Sequence, residues 1–356
     1  MNSRKKLAAA ILLTMLIFSP AYAFRFVVYG DCRAPDENID EPFPNNIINV
    51  PVVNYINAQI VALDPKPAFA IFLGDGISFA QPKADPSISS NLDYWKTFMT
   101  DGLRGIPFYA VVGNEDLNTE MTPTIANQSA FAQTFNNMPD NGPTSPVDFR
   151  HLVYSFEYGN GTEKSLFVVF DSFGFYYGDG YTTTVYANNN VDPYAIPFED
   201  GAPSLLPAEQ IDWFKAQAAA SDATHKFVFT HGPTFSVAGW TSVGTNMSQM
   251  WNIALNNNFD TYFCAHEHLY YRWNVDAQAY PTAAGTLIQN LSGTSGAPII
   301  WPSSVNANPH NRIYFGFNFV VVDVEGSTVT EKAYVLMPNG NGSFTTKLFD
   351  TAVIVK

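Results

Sequence analysis

Five apolar segments of this chain stop at residues able to hold a cation, and this constrains its fold more than any other feature. Phe26–Tyr29 runs into Gly30-Asp31, Ala68–Leu73 into Gly74-Asp75, and Phe108–Val112 into Gly113-Asn114. Lys226–Thr230 stops at His231, and Thr261–Ala265 at His266-Glu267-His268. Short apolar runs bounded by glycine and polar residues read as strands. In open α/β sheets, ligands bind beyond the carboxyl ends of the strands. One such ending is commonplace, but five in chain order point to one edge that gathers carboxylates, an amide and imidazoles. That donor set suits borderline divalent or trivalent metals. Three of the six histidines, His231, His266 and His268, stand in these endings.

The segments between the endings fit an alternating pattern. Val52–Leu63 has helical spacing, Ser90–Met99 places Leu92, Trp95 and Phe98 on one face, and Pro207 can open a helix carrying Ile211, Phe214 and Ala218. Leu152–Tyr158 and Ser165–Asp171 read as strands. From Thr286 onward the pattern is β: Thr286–Leu291, Ile313–Val324, Thr328–Leu336 and Thr345–Val355, parted by turns such as Glu325-Gly326 and Asn339-Gly340-Asn341-Gly342. Strands alternating with helices, followed by hairpins, predict a layered α/β fold with a pair of mixed sheets. No repeat or linker divides residues 24–356, which read as one domain with long loops at about 118–150 and 172–206. The second of these holds Phe173, Phe175, Tyr176, Tyr177, Tyr181, Tyr186 and Tyr194. It is expected either to pack over the domain or to act as a lid that stacks on the organic part of a ligand.

Composition narrows the partners. Only 14% of residues are charged and 46% are hydrophobic, the reverse of a disordered chain. Residues 1–23 have the form of a cleaved export signal: basic Arg4-Lys5-Lys6, an apolar run from Leu7 to Phe18, and the small-x-small site Ala21-Tyr22-Ala23. The run is about 12 residues, short of the ~20 that cross a bilayer. The expected mature chain begins at Phe24 and is secreted or periplasmic. Removing the three basic residues of the leader takes the net charge from -14 to -17. So acidic a chain is not expected to bind nucleic acid or an anionic membrane. A phosphorylated ligand meets long-range repulsion, so a less highly charged ester or diester is easier to admit than a polyphosphate.

The ordered set Gly30-Asp31-Cys32-Arg33, Gly74-Asp75, Gly113-Asn114-Glu115-Asp116, Thr230-His231-Gly232-Pro233 and Ala265-His266-Glu267-His268 resembles the five motifs of the calcineurin-like metallophosphoesterases. Tyr270, Arg272 and the stretch Ser292-Gly293-Thr294-Ser295-Gly296 look like the purple acid phosphatase branch. The resemblance implies two mixed β-sheets packed as a sandwich and flanked by helices, with one or two ions of iron, zinc or manganese at the strand ends. It implies that Asp75 bridges, that Asn114, His231 and His266 complete one site, and that Asp31 and His268 hold the other. The implied chemistry is hydrolysis of a small phosphoester, as a phosphatase or phosphodiesterase, by metal-activated water.

The pattern breaks at three places. Arg33 stands where the family offers a histidine, and a guanidinium cannot ligate a metal. Ser78 stands where the purple acid phosphatases have a tyrosine. Glu115 stands where the family has a histidine that assists the leaving group. Arg33 and Glu115 are therefore candidate catalytic residues by position: an ion pair, or, for Arg33, a fork gripping the substrate phosphate. The alternative they leave open is a catalytically inactive binding or extracellular structural protein on the same scaffold. The family fold would also bring the strand ends carrying Cys32 and Cys264 close, so a disulfide beside the site is one expectation; two separate buried thiols are the other.

Overall fold

A computed structural model describes residues 24–35, 41–78, 88–119, 122–123, 125–145, 148–172, 208–235, 245–275, 287–301, 311–340 and 342–356. The chain opens on β1 (Phe24–Tyr29), every residue of which is buried. Helix α1 (Val50–Val61) follows, with proline in its first turn and Val52, Val53, Ile56 and Ile60 turned inward at helical spacing. Next come β2 (Phe69–Phe72), α2 (Ile88–Gly102) and β3 (Phe108–Ala110). A two-stranded ribbon, β4 (Asn118–Thr119) with β5 (Thr122–Pro123), precedes α3 (Ile125–Thr134). Then follow β6 (Tyr154–Tyr158), β7 (Ser165–Val169), α4 (Ala208–Ala220), β8 (His225–Phe229), α5 (Thr245–Asn256) and β9 (Thr261–Cys264). The rest is β: β10 (Tyr270–Val275), β11 (Leu287–Ser292), β12 (Arg312–Tyr314), β13 (Asn318–Glu325), β14 (Thr328–Pro338) and β15 (Phe344–Val355).

These strands form two mixed sheets. One has the order β15-β14-β13-β1-β2-β3 and the other β12-β10-β11-β9-β8-β7-β6. β1, β2 and β3 run parallel, as do β7, β8, β9 and β11 in the second sheet. The expected α/β sandwich of two mixed sheets flanked by helices is therefore present.

Phenylalanine fills the space between the sheets. Phe26 of β1 lies 5.6 Å from Phe69, 5.2 Å from Phe167 and 5.3 Å from Phe227, ring centre to ring centre. Phe229 stacks on Phe263 at 5.2 Å. Two parallel ladders clamped by this aromatic layer fix the relative height of their carboxyl ends, which is what a multidentate site needs.

Several expectations change. The loop expected at 118–150 contains the β4–β5 ribbon and α3, whose sequence IANQSAFAQT has too few apolar residues to advertise a face. α5 and β10 were not foreseen. The single strand expected over Ile313–Val324 is two, because the chain crosses from one sheet to the other at residues 315–317: β12 pairs with β10 in the seven-stranded sheet, and β13 lies between β1 and β14 in the six-stranded one. The leader and nearly all of the 172–206 segment, with its aromatic residues, lie outside the described residues. Among the described residues, no helix is long and apolar enough to cross a membrane.

Candidate metal centre

The five expected strand ends meet at one place. Asp31 follows β1, Asp75 follows β2, Asn114 follows β3, His231 follows β8, and His266 and His268 follow β9. The parallel sense of β1–β2–β3 and of β8–β9 carries all of them to the carboxyl edge. Backbone bonds stitch the loops together: Asp31 N–H donates to Gly74 O, Cys32 N–H to Asp75 O, and Ala265 N–H to His231 O.

Asp31, Asp75 and His266 have φ of 53°, 54° and 71°, a region that costs a non-glycine residue about 1–3 kcal/mol. Glycine makes the approach possible. A Cβ on Gly113 would lie 2.2 Å from Asp75 Oδ1, and Gly74, at φ 94°, has His231 Nδ1 2.7 Å from where its Cβ would be.

The ligand atoms fall into two groups that share one carboxylate. Asp75, His231 and His266 each offer an atom within 4.8 Å of the others, and so do Asp31, Asp75 and His268. Asn114 Oδ1 lies 3.1 Å from His231 Nε2 and 2.9 Å from His266 Nδ1, within the first group.

Hydrogen bonding from behind aims lone pairs into the centre. His231 Nδ1 donates to Leu73 O at 2.7 Å and His268 Nδ1 to Pro298 O at 2.7 Å, so each neutral ring presents a bare Nε2. His231 Nε2 lies 3.2 Å from Asp75 Oδ2, and His268 Nε2 lies 3.4 Å from Asp31 Oδ1. Asn114 Nδ2 points to Glu115 Oε1 at 3.4 Å, which turns the amide oxygen toward the two imidazoles. Asp31 Oδ1 is fully buried and takes no hydrogen bond among the described residues. Acceptors facing acceptors, with a buried carboxylate oxygen left over, are costly without a cation between them. The donor set therefore fits one or two metal ions.

Without a metal, the charges settle into an ion pair. Burial works to raise the Asp75 carboxyl, but His231, His266 and the Glu115 N–H outweigh it and hold the group at about 2. Burial pulls His231 down, but Asp75 and Asp31 prevail and lift it to about 10. Burial, the His231 charge and, further down, His268 and Arg33 push His266 down to about 3. His266 is the half-buried member of the set, so the open side of the centre lies there.

Arg33 stands at this margin, close enough for its charge to act on His266. Its backbone bridges Ile48, and its Nη1 donates to Ala34 O at 3.4 Å. Glu115 is buried and works on two ligand candidates at once: its N–H donates to Asp75 Oδ1 at 2.9 Å while its carboxylate faces the Asn114 amide. Ser78 Oγ donates to Ala34 O, a structural bond.

Two roles were not read from the sequence. The Asp116 carboxylate accepts the N–H groups of Asp75 and Gly113, both at 2.9 Å, of Gly76 at 2.8 Å and of Ile77 at 3.4 Å, pinning the loop after β2 to the loop after β3. Burial and Asp75 push its pKa up to about 7. Ser295 N–H donates to Gly30 O and Asp31 O, so the Ser292–Gly296 stretch buttresses the first loop. Tyr270 and Arg272 instead pair with Asp350: Arg272 Nε and Nη2 donate at 2.6 and 3.1 Å and Tyr270 Oη at 3.0 Å.

The disulfide expectation is corrected: Cys32 and Cys264 are separate thiols. Cys32 faces α2, donating to Gly76 O at 3.2 Å and accepting from Trp95 Nε1 at 3.2 Å. Cys264 lies in β9 beside β11, its Sγ 4.0 Å from Asn290 O. Both are fully buried, and burial raises both thiols well above their ordinary pKa.

A sequence profile described as calcineurin-like phosphoesterase matches residues 24–270, which hold every ligand candidate above. The chain belongs to the calcineurin-like phosphoesterase family. Membership carries phosphoester hydrolysis and two-metal centres as family properties. No curated protein sequence matches it. Among solved structures, it is similar to a purple acid phosphatase from yellow lupin (Lupinus luteus) seeds at 13% identity and a TM-score of 0.58, covering 93% of this chain and 53% of that one. It is similar to PhoD at 11% identity and a TM-score of 0.60, covering 94% and 70%. It is also similar to GAP50, the anchor in the inner membrane complex of Plasmodium, at 14% identity and a TM-score of 0.51, covering 92% and 89%. At these identities the likeness is one of fold, and the chain spans about half the length of the lupin phosphatase.

Proposed function

We propose that this calcineurin-like phosphoesterase is an exported, metal-dependent hydrolase of small phosphoesters. The observation that carries the reading is the pair of ligand groups sharing Asp75, each with lone pairs directed inward. His231, His266, Asn114 and Asp75 would hold one ion, and Asp31, Asp75 and His268 the other, with iron, zinc and manganese the metals this donor set suits. Bound there, metal would supply the Lewis acidity that activates water and neutralises charge at phosphorus.

The protein's own groups do the rest. Leu73 and Pro298 carbonyls hold the Nδ1 protons of His231 and His268, which leaves each Nε2 as the atom a metal would take. Glu115 orients Asn114, and Asp116 fixes the loop carrying Asp75. Arg33, whose charge acts on His266 at the open face, would bind a phosphoryl oxygen and offset the acidic surface. Export is supported by the form of residues 1–23, and the family match begins at Phe24. The mass of the protein recovered outside the cytoplasm tests it; a chain retaining residues 1–23 would contradict it.

Hydrolysis of bis(4-nitrophenyl) phosphate by the metal-loaded protein tests the activity. Turnover should appear with at least one of iron, zinc or manganese, and Arg33→Ala should reduce it sharply without loss of folding. Silence with all three metals would favour a second reading, a binding or structural protein on the same scaffold. GAP50, an anchor with a similar fold, supports that reading, as do Arg33 and Glu115 in place of family histidines.

A further inference from the structure

One tryptophan lies open at the end of the segment that bonds to His268. Trp301 is 69% exposed, the only exposed tryptophan among the described residues, and its ring stacks on Phe315 with centres 4.7 Å apart and planes 26° from parallel. Hydrogen bonds of neighbouring residues link the segments that carry both rings to ligand candidates. Ile300, next to Trp301, donates its N–H to His268 O at 3.1 Å, and Pro298 O fixes the His268 ring. On the other side, Asn318 Nδ2 binds the carbonyl of Gly316, the neighbour of Phe315. The Asn318 N–H reaches Thr294 O at 2.8 Å, and Ser295 N–H reaches Asp31 O at 3.1 Å. Pro298, Ile299 and Ile300 are half-buried, so an apolar strip runs from the His268 contact to the exposed indole.

A water-facing indole held flat against a second ring is a ready surface for a planar group, which would gain stacking contact and cover apolar area. The acidity of the chain disfavours highly charged esters, so the organic part of the substrate has to supply binding that charge does not. We infer that Trp301 and Phe315 form a platform for a planar ring carried on the ester group of the substrate, which selects aryl or nucleoside phosphoesters over alkyl ones. This rests on the hydrolase reading above.

Calorimetry on the manganese-loaded protein tests it without turnover, using methylphosphonate, phenylphosphonate and adenosine monophosphate as probes. The wild type should bind phenylphosphonate or the nucleotide about tenfold more tightly than methylphosphonate, the size of one good aromatic contact. Trp301→Ala should erase that preference while leaving methylphosphonate affinity unchanged, and Trp301→Phe should restore most of it. The favoured ring probe distinguishes an aryl from a nucleoside ester. Equal affinity for the three probes in the wild type, or a preference that survives in both Trp301→Ala and Phe315→Ala, would overturn the platform. The hydrolase reading would survive that result as long as methylphosphonate still bound. Failure of every probe to bind would remove both. Loss of self-association in Trp301→Ala with probe affinities unchanged would assign the patch to a second copy of the chain and also overturn the proposal.

Discussion

Asp31, Asp75, His231 and His268 make one buried polar cluster, and Tyr270 and Arg272, only a few residues further along the chain from His268, make another with the distant Asp350. In the second, donors and acceptors match: Asp350 takes two bonds from Arg272 and one from Tyr270, and Arg272 Nη1 is used by Asn274 at 3.0 Å. In the first, carboxylate oxygens and imidazole nitrogens point at each other, Asp31 Oδ1 takes no hydrogen bond among the described residues, and the backbone is held at positive φ. A cluster closed by its own hydrogen bonds is architecture, here joining β10 to β15 across the two sheets. A cluster whose lone pairs converge is prepared for something else.

The largest predicted effect breaks this comparison directly. Asp75→Asn should cut metal affinity by more than the about 10–100-fold typical of residues that only support a ligand, because both groups lose their shared carboxylate. Arg272→Ala should leave metal content untouched but strand Asp350, costing about 3 kcal/mol in thermal or urea unfolding. If Arg272→Ala removed metal, or Asp75→Asn did not, the two clusters would not be different in kind.

Asp116→Ala should fall between them. It frees four buried N–H groups and releases the loop holding Asp75, so about 2–3 kcal/mol of stability and about 10–100-fold of metal affinity should be lost together. A stability loss with unchanged metal binding would make Asp116 purely architectural.

The smallest effect concerns Glu331, buried between the sheets and bonded by Thr261 and by Asn290 Nδ2 at 2.9 Å. Burial pushes its pKa from 4.5 up to about 7. The folded state then holds a proton that the unfolded chain has lost, so this group's contribution falls as pH rises from about 4.5 to about 7 and is flat above. Glu331→Gln should be near neutral at pH 5 and stabilising by about 1–3 kcal/mol at pH 8, read from unfolding curves at the two pH values. Equal effects at both would contradict the raised pKa.

The strand endings were legible because each chemical residue follows a β-rich apolar run, and the sequence periodicity found the two sheets. The bonds that make those endings a site were not. Asp116 stood in a recognised motif, but four backbone N–H partners leave no mark in the sequence. Glu115 was read as a substituted histidine, whereas its contacts are with the Asn114 amide and Asp75. Tyr270 and Arg272 drew attention through resemblance, yet their partner Asp350 lies 78 residues beyond Arg272. The resemblance brings the loops near Cys32 and Cys264 together, but β1 and β9 lie in different sheets and the side chains turn apart, toward Trp95 for one and toward Asn290 of β11 for the other. The helix α3 escaped because its face is mostly small and polar.

The measurement that tests the central claim most directly is elemental analysis of the protein purified without added metal or chelator, alongside Asp75→Asn. The expected result is close to one or two equivalents of iron, zinc or manganese per wild-type chain and a near-complete loss in the variant. A wild-type chain that holds no metal and takes none up on soaking would contradict it.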